Sequence, residues 1–128
     1  MSYVIHEQST GNLHEIKMNR MNSDAIQQLF DLSAKIFASS EQDDVYMLID
    51  ARESMLLPLR LLAHELRTLS RRDGKITACI AIVIANRSIS AETTKMLETI
   101  LERDRVQIFT GIEKARLWID LEKKRRLS

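Results

Sequence analysis

Two short, continuous apolar runs constrain the fold of this chain more than any other feature of its sequence. They are Val45 to Ile49 and Ile76 to Ala85, and the second is rich in β-formers. Runs of this length suit strands that are buried on both faces of a parallel sheet, and they fall far short of the ~20 residues of a membrane-spanning helix. The segments between and after them space their apolar residues as amphipathic helices do, so the pattern predicts strands that alternate with helices.

The remaining predicted elements complete an α/β fold. Turn residues at Thr10-Gly11-Asn12 predict an antiparallel hairpin, and one further strand is predicted near the C-terminus. The hairpin strands are Tyr3–Gln8 and Asn12–Met18, the last strand is Arg105–Phe109, and the helices are Ser23 to Ser39, Leu57 to Arg71, Ser90 to Arg103 and a fourth from Thr110. We expect a single domain, residues 1–128, with a mixed five-stranded sheet and four helices in the order ββαβαβαβα. The basic tail, residues 122–128, is expected to be frayed.

Composition narrows the class of function. The 128 residues suffice for one domain, and 45% hydrophobic with 29% charged residues is typical of a soluble globular protein, for which we expect a cytoplasmic location. A net charge of +1 gives little support for nucleic-acid binding, and we expect no membrane insertion. The single cysteine, Cys79, excludes an internal disulfide and a cysteine-based zinc site, and its apolar run predicts a buried, unreactive thiol. We expect neither a metal nor a cofactor.

Several segments resemble the STAS domain of anti-sigma-factor antagonists, and the chain is more similar still to the small bacterial STAS-like proteins. The resembling segments are Gly11 to Lys17, the helix from Asp24, Val45 to Arg52, and Val106 to Ile119. The resemblance implies the α/β fold above and a regulatory role through protein contacts. Phospho-regulated members carry an Asp-Ser-Ser/Thr-Gly motif after the central strand. Here the turn from Asp50 to Pro58 lacks that motif, so a kinase-driven partner switch is not expected.

The candidate site lies where the parallel strands end. Ligands of open α/β sheets bind beyond the carboxyl ends of the strands, where helix N-termini favour anions. Polar residues follow three of the predicted strands there, in residues 50–54, 86–90 and 110–114. An excess of apolar residues at the turn before the second helix, and on that helix, suggests a partner surface or a hydrophobic groove. The residues assigned to this partner or ligand surface are Asp50, Arg52, Ser54, Met55, Leu56, Leu57, Leu61, Asn86, Arg87 and Ser88. The alternative is that these residues only cap helices, line solvated loops and extend the core.

Three other features of the sequence could have a function, but a simpler structural interpretation is also open for them. Ser54 is a candidate phosphorylation site because a phosphate there would lie near a helix N-terminus. His6 and His14 could face each other across the hairpin, but two ligands do not make a structural zinc site, and we interpret them as surface polar residues. The basic run Lys123 to Arg126 could bind an anionic partner, although positive charge also favours a helix C-terminus.

The sequence therefore predicts a non-enzymatic regulatory or interaction domain that acts through protein contacts, with a homodimer as the expected oligomer. The alternative is a carrier or sensor of a small hydrophobic, lipid-like or anionic ligand, because the STAS-like proteins resemble part of the CRAL-TRIO lipid-binding fold. A small enzyme that uses the strand ends is the third hypothesis.

Overall fold

A computed structural model of the protein describes residues 3–54, 59–85 and 104–127, together with Lys95 and Glu98. Within these residues the strands are β1 (Val4–Thr10), β2 (Leu13–Met18), β3 (Asp44–Ala51), β4 (Thr77–Ile84) and β5 (Arg105–Phe109). The helices are α1 (Ser23–Ser39), α2 (Leu59–Ser70) and α3 (Ile112–Leu127). None of these helices combines the length and apolar character needed to cross a membrane.

The strands form one mixed sheet in the order β1-β2-β3-β4-β5. β1 and β2 are the antiparallel hairpin, and every later pair is parallel. The hairpin turns at Gly11, whose φ of 60° suits glycine. The next residue ties the turn to β3, because Asn12 Nδ2 donates to the Asp44 carbonyl at 2.9 Å and the Asn12 carbonyl accepts from Tyr46 N–H at 2.9 Å.

Both α1 and α2 lie on the first side of the sheet. The β2–β3 and β3–β4 connections advance in the same direction across the sheet, and right-handed crossovers therefore place both helices together. Asn22 caps α1 by accepting the Ala25 N–H at 2.8 Å. The main core lies between these helices and alternate strand residues such as Ile16, Met47 and Ile80.

The second side of the sheet carries α3. Ala115 and Ile119 of this helix pack on Tyr46, Leu48 and Cys79 in a smaller core. α3 lies over β4 and touches β3 and β5. The faces of β1 and β2 on this side lie beside the helix rather than beneath it.

The structure confirms the α/β class, the mixed five-stranded sheet and the hairpin followed by parallel strands. The predicted helix from Ser90 to Arg103 lies outside the described residues except at Lys95 and Glu98, so three helices are described rather than the predicted four. Most of the basic tail, residues 122–127, lies in the last helix. The last helix continues to Leu127 because its final turns bind the sheet, as described below.

Candidate interaction surface

At the end of β3, Asp50 and Arg52 form an ion pair. Arg52 donates from Nε to Asp50 Oδ1 at 2.9 Å and from Nη2 to Asp50 Oδ2 at 2.8 Å, and its backbone N–H reaches Oδ1 at 3.1 Å. These hydrogen bonds hold the pKa of the Asp50 carboxyl below its usual value. The guanidinium is therefore engaged by a carboxylate, and an anionic ligand would have to displace it.

A second ion pair joins the same turn to the hairpin. Lys17 of β2 lies 3.1 Å from a carboxylate oxygen of Glu53, and this hydrogen bond raises the pKa of Lys17. Lys17 is opposite Asp50 in the sheet register, so the two pairs are neighbours. Both described cations of this edge are thus paired with carboxylates, which weakens the case for an anion site.

The other predicted site residues divide into three groups. Ser54 is only 6% exposed and its N–H donates to the Ala51 carbonyl at 3.1 Å, so a kinase would reach its hydroxyl only if the turn opened. Leu61 is half-buried and packs on the main core. The remainder lie outside the described residues: Met55, Leu56, Leu57, Asn86, Arg87 and Ser88.

A shallow groove runs between β2 and α3 on the second side of the sheet. Arg116 of α3 crosses it and donates from Nη2 to a Glu15 carboxylate oxygen at 2.9 Å. Two depressions of about 140 Å³ and about 100 Å³ flank this ion pair, and both are lined partly by Leu48. The groove reaches Asp50, so it is continuous with the paired turn at the end of β3.

Three large apolar side chains are exposed on this same side of the molecule. Ile5 of β1 is 44% exposed, and Leu117 and Leu121 of α3 are 59% and 55% exposed. Ile5 is opposite Lys17 in the hairpin register, which places it on the α3 side. Leu117 and Leu121 are one helical turn apart and share the outer face of α3, because Ala115 and Ile119 on the opposite face pack on the sheet. We call this surface the open face: the α3 side of the hairpin together with Arg116, Leu117 and Leu121.

On the opposite side of the hairpin, two histidines face each other. His14 Nδ1 lies 3.1 Å from His6 Nε2 and 3.4 Å from the Ser9 hydroxyl. Burial, and then the neighbouring His6 ring, lower the pKa of His14. The prediction that these rings face each other across the hairpin is therefore confirmed. Beside them is a cavity of about 360 Å³, lined largely by polar residues between the hairpin turn and the end of α1.

The basic C-terminal run is used largely for internal contacts. Arg126 Nη1 donates to Asp44 Oδ1 and to Thr77 Oγ1, each at 2.6 Å. Arg125 pairs with Glu122 at 2.9 Å, and the Lys123 ammonium lies 5.4 Å from the centre of the Tyr46 ring. These contacts join the last two turns of α3 to the starts of β3 and β4.

Cys79 is fully buried, as predicted, and burial raises the pKa of its thiol to about 11. Among the described residues, no three His, Cys, Asp or Glu side chains are grouped so that they could hold a metal ion together.

Sequence reasoning did not find the ion pairs that join distant segments. Arg116 and Glu15 are 101 residues apart, and Arg72 and Asp104 are 32 apart. Neither pair has a local spacing signal. The partial alternation from Leu13 to Met18 indicated only that Glu15 and Lys17 share one side of β2.

Comparison with protein-family models, with curated proteins and with solved structures finds no match for this chain.

Proposed function

We propose that this chain is a non-enzymatic interaction domain that binds another protein through the open face. One observation carries the proposal: among the described residues, three large apolar side chains are exposed on the α3 side of the molecule, Ile5 on the hairpin and Leu117 with Leu121 on the outer face of α3. Apolar residues surrounded by charged ones are typical of protein interfaces. Here Arg116, the residue before Leu117, is ion-paired with Glu15 of β2.

We further propose that the fold is STAS-like, which the element order and the mixed sheet support. The family's phosphorylatable motif does not occur after β3, where the sequence from Asp50 is Asp-Ala-Arg-Glu-Ser. Regulation by a phosphate on this turn is therefore not part of the proposal.

Two side chains that could take part in catalysis are either buried or bound by another residue, which supports a binding role rather than an enzymatic one. The Cys79 thiol is buried and its pKa is about 11, so it is not a nucleophile at neutral pH. The Asp50 carboxylate is bound by Arg52, which lowers its pKa and its strength as a base.

Among the described residues, the cavity volumes favour a protein partner over the alternative, a hydrophobic ligand. Pockets for small molecules measure roughly 300–1,000 Å³ and are mostly apolar. The depressions on the open face measure about 140 Å³ and about 100 Å³. The cavity of about 360 Å³ is large enough, but the side chains that line it are polar apart from Ile36 and Gly11.

The proposal is tested by a double charge substitution on the open face, Leu117→Lys with Leu121→Lys. A matched control places lysines at Ala34 and Ala38, which are exposed on α1 at the same spacing on the other side of the sheet. Both pairs are exposed, so the free energy of unfolding of each variant should stay within about 0.5 kcal/mol of the wild-type value. Each form is then used to capture proteins from a lysate of the source cell, and the amount of each captured protein is measured relative to the amount of the form that captured it.

We expect a stoichiometric protein that the wild type and the control retain and that the open-face variant loses. If instead the wild type sediments as a dimer that only the open-face variant dissociates, the partner is a second copy of the chain. Retention of the same partner by the open-face variant would refute the assignment of this surface. A small molecule found in place of a protein by native mass spectrometry would favour the carrier alternative.

A further inference from the structure

The two facing histidines lie on the side of the hairpin that carries α1, away from the open face. His14 Nδ1 and His6 Nε2 are 3.1 Å apart, their ring centres are 5.1 Å apart, and the planes are tilted by 42°. His6 is exposed and His14 is half-buried. Two imidazole nitrogens therefore converge on one point at the protein surface.

The hairpin register explains this convergence. Ser9 is opposite His14 and His6 is opposite Ile16, and the register shifts between His6 and Gln8. This β-bulge places Glu7 and Gln8 against the single residue Glu15, so His6 and Ser9 stay on one side of β1 despite their odd spacing. His6 and His14 are thus diagonal neighbours across the strands, a separation that long side chains can span.

The distance between the two nitrogens is close to that required for a shared metal ion. Zinc binds imidazole nitrogen at about 2.0–2.1 Å, and at a tetrahedral angle two such ligands lie about 3.3–3.4 Å apart. The observed 3.1 Å is shorter by a few tenths of an ångström, which small ring rotations can supply. When a metal binds, the hydrogen now shared between the two nitrogens moves to the outer nitrogen of one ring, so both neutral imidazoles can coordinate.

We propose that His6 and His14 chelate one divalent transition-metal ion of the zinc, nickel or copper class. Imidazole nitrogens suit these ions better than magnesium or calcium. The remaining coordination positions are filled by water, because the rim of the adjoining 360 Å³ cavity provides polar groups that can hold such waters, among them Ser9, Asn12 and Gln42. This site differs from a structural zinc site, which needs four protein ligands.

The test is titration of the full chain, carrying no histidine tag, with Zn²⁺ alone under isothermal calorimetry. Three single variants are compared: His6→Ala, His14→Ala and, as a matched control, His64→Ala, which removes an exposed histidine of α2. We expect one ion per chain for the wild type and the control. Because a chelate needs both rings, each of the other two variants should bind at least about tenfold more weakly, and the double variant little more weakly than either.

Three results would overturn the proposal. They are unchanged affinity in His6→Ala or His14→Ala, an equal loss in His64→Ala, or half an ion per chain with a doubling of the sedimenting mass. The last result would mean that imidazoles of a second copy, rather than waters, fill the remaining coordination positions. The far-ultraviolet dichroism of every variant is recorded without metal, so that loss of binding is separated from loss of the fold.

Discussion

Replacing Asp104 by alanine tests how this sheet is held at the start of its parallel strands. Asp104 precedes β5 and its carboxylate is buried, with 1% of the side chain exposed. Arg72 donates to Asp104 Oδ2 from Nη1 at 2.6 Å and to Oδ1 from Nη2 at 2.9 Å. Oδ1 also accepts the Ala78 N–H at 2.8 Å. The substitution therefore removes three hydrogen bonds and the carboxylate that the Arg72 guanidinium binds.

The expected loss is about 3–4 kcal/mol of unfolding free energy. Removing one member of a buried ion pair costs about 3–5 kcal/mol, because the remaining charge is buried without compensation. The lower part of that range applies, since Arg72 is 14% exposed and keeps its bonds to the Leu69 and Ile76 carbonyls. Arg72 also keeps its contact with the Phe37 ring, because the Arg72 Cζ atom lies 4.3 Å from the centre of that ring. Such a loss is a large share of the ~5–15 kcal/mol that holds a domain of this size.

The assay is urea unfolding at neutral pH, followed by the fluorescence of Trp118, the single tryptophan of the chain. Asp43→Ala is the control, because Asp43 is an exposed aspartate whose removal should cost less than about 0.5 kcal/mol. Arg72→Met and the double variant complete a cycle, in which the double variant should lose much less than the sum of the singles. A loss below about 1 kcal/mol in Asp104→Ala, or strict additivity in the cycle, would refute the reasoning.

Two further predictions concern the second side of the sheet. Arg126→Ala removes both 2.6 Å hydrogen bonds that join α3 to Asp44 and Thr77, so we expect a loss of about 1–2 kcal/mol in urea unfolding and faster amide exchange in the last turn of α3; Lys124→Ala, in the same turn but exposed, should have neither effect. Cys79 should resist alkylation in the folded protein and react quickly in denaturant. Because its folded pKa of about 11 exceeds the ordinary 9.0, the unfolded chain loses this proton first, and stability should fall by roughly 2 kcal/mol as the pH rises from 9 to 11. The alanine variant at Cys79 should lack that part of the pH dependence, and rapid alkylation of the native thiol would contradict its burial.

The fold could be predicted from hydrophobic pattern because each element carries its own signal. α1 begins and ends at the predicted residues, since Asn22 supplies a cap and the apolar spacing continues to Phe37. The run from Ile76 to Ala85 contains β4, whose residues Ala78 to Ile84 are all buried, as a strand covered on both faces requires. These signals are local, and local patterns determine element type.

The features that the sequence did not predict depend on contacts between segments that are distant along the chain. The basic run from Lys123 resembles a solvated tail because its neighbours in sequence are also polar. Its partners Asp44 and Thr77 come from the starts of two strands, and only the assembled sheet brings them under the end of α3. The facing of His6 and His14 was predictable from the hairpin, whereas the bulge that sets their diagonal contact was not, because no turn residue marks it.

The open face follows from the topology of the chain. Adjacent strands lie about 4.8 Å apart, so a five-stranded sheet is about 19 Å wide between its outer strands, whereas one helix is about 10 Å across. The first side of the sheet carries α1 and α2, but among the described residues α3 alone covers the second, and it is centred on β4. The hairpin side must therefore be compatible with water or be covered by a partner. Glu15 and Lys17 satisfy the first condition through their ion pairs. The exposed Ile5 on this side, together with Leu117 and Leu121 on the outer face of α3, is the reason for proposing the second, because apolar surface bordered by charged residues is typical of protein interfaces.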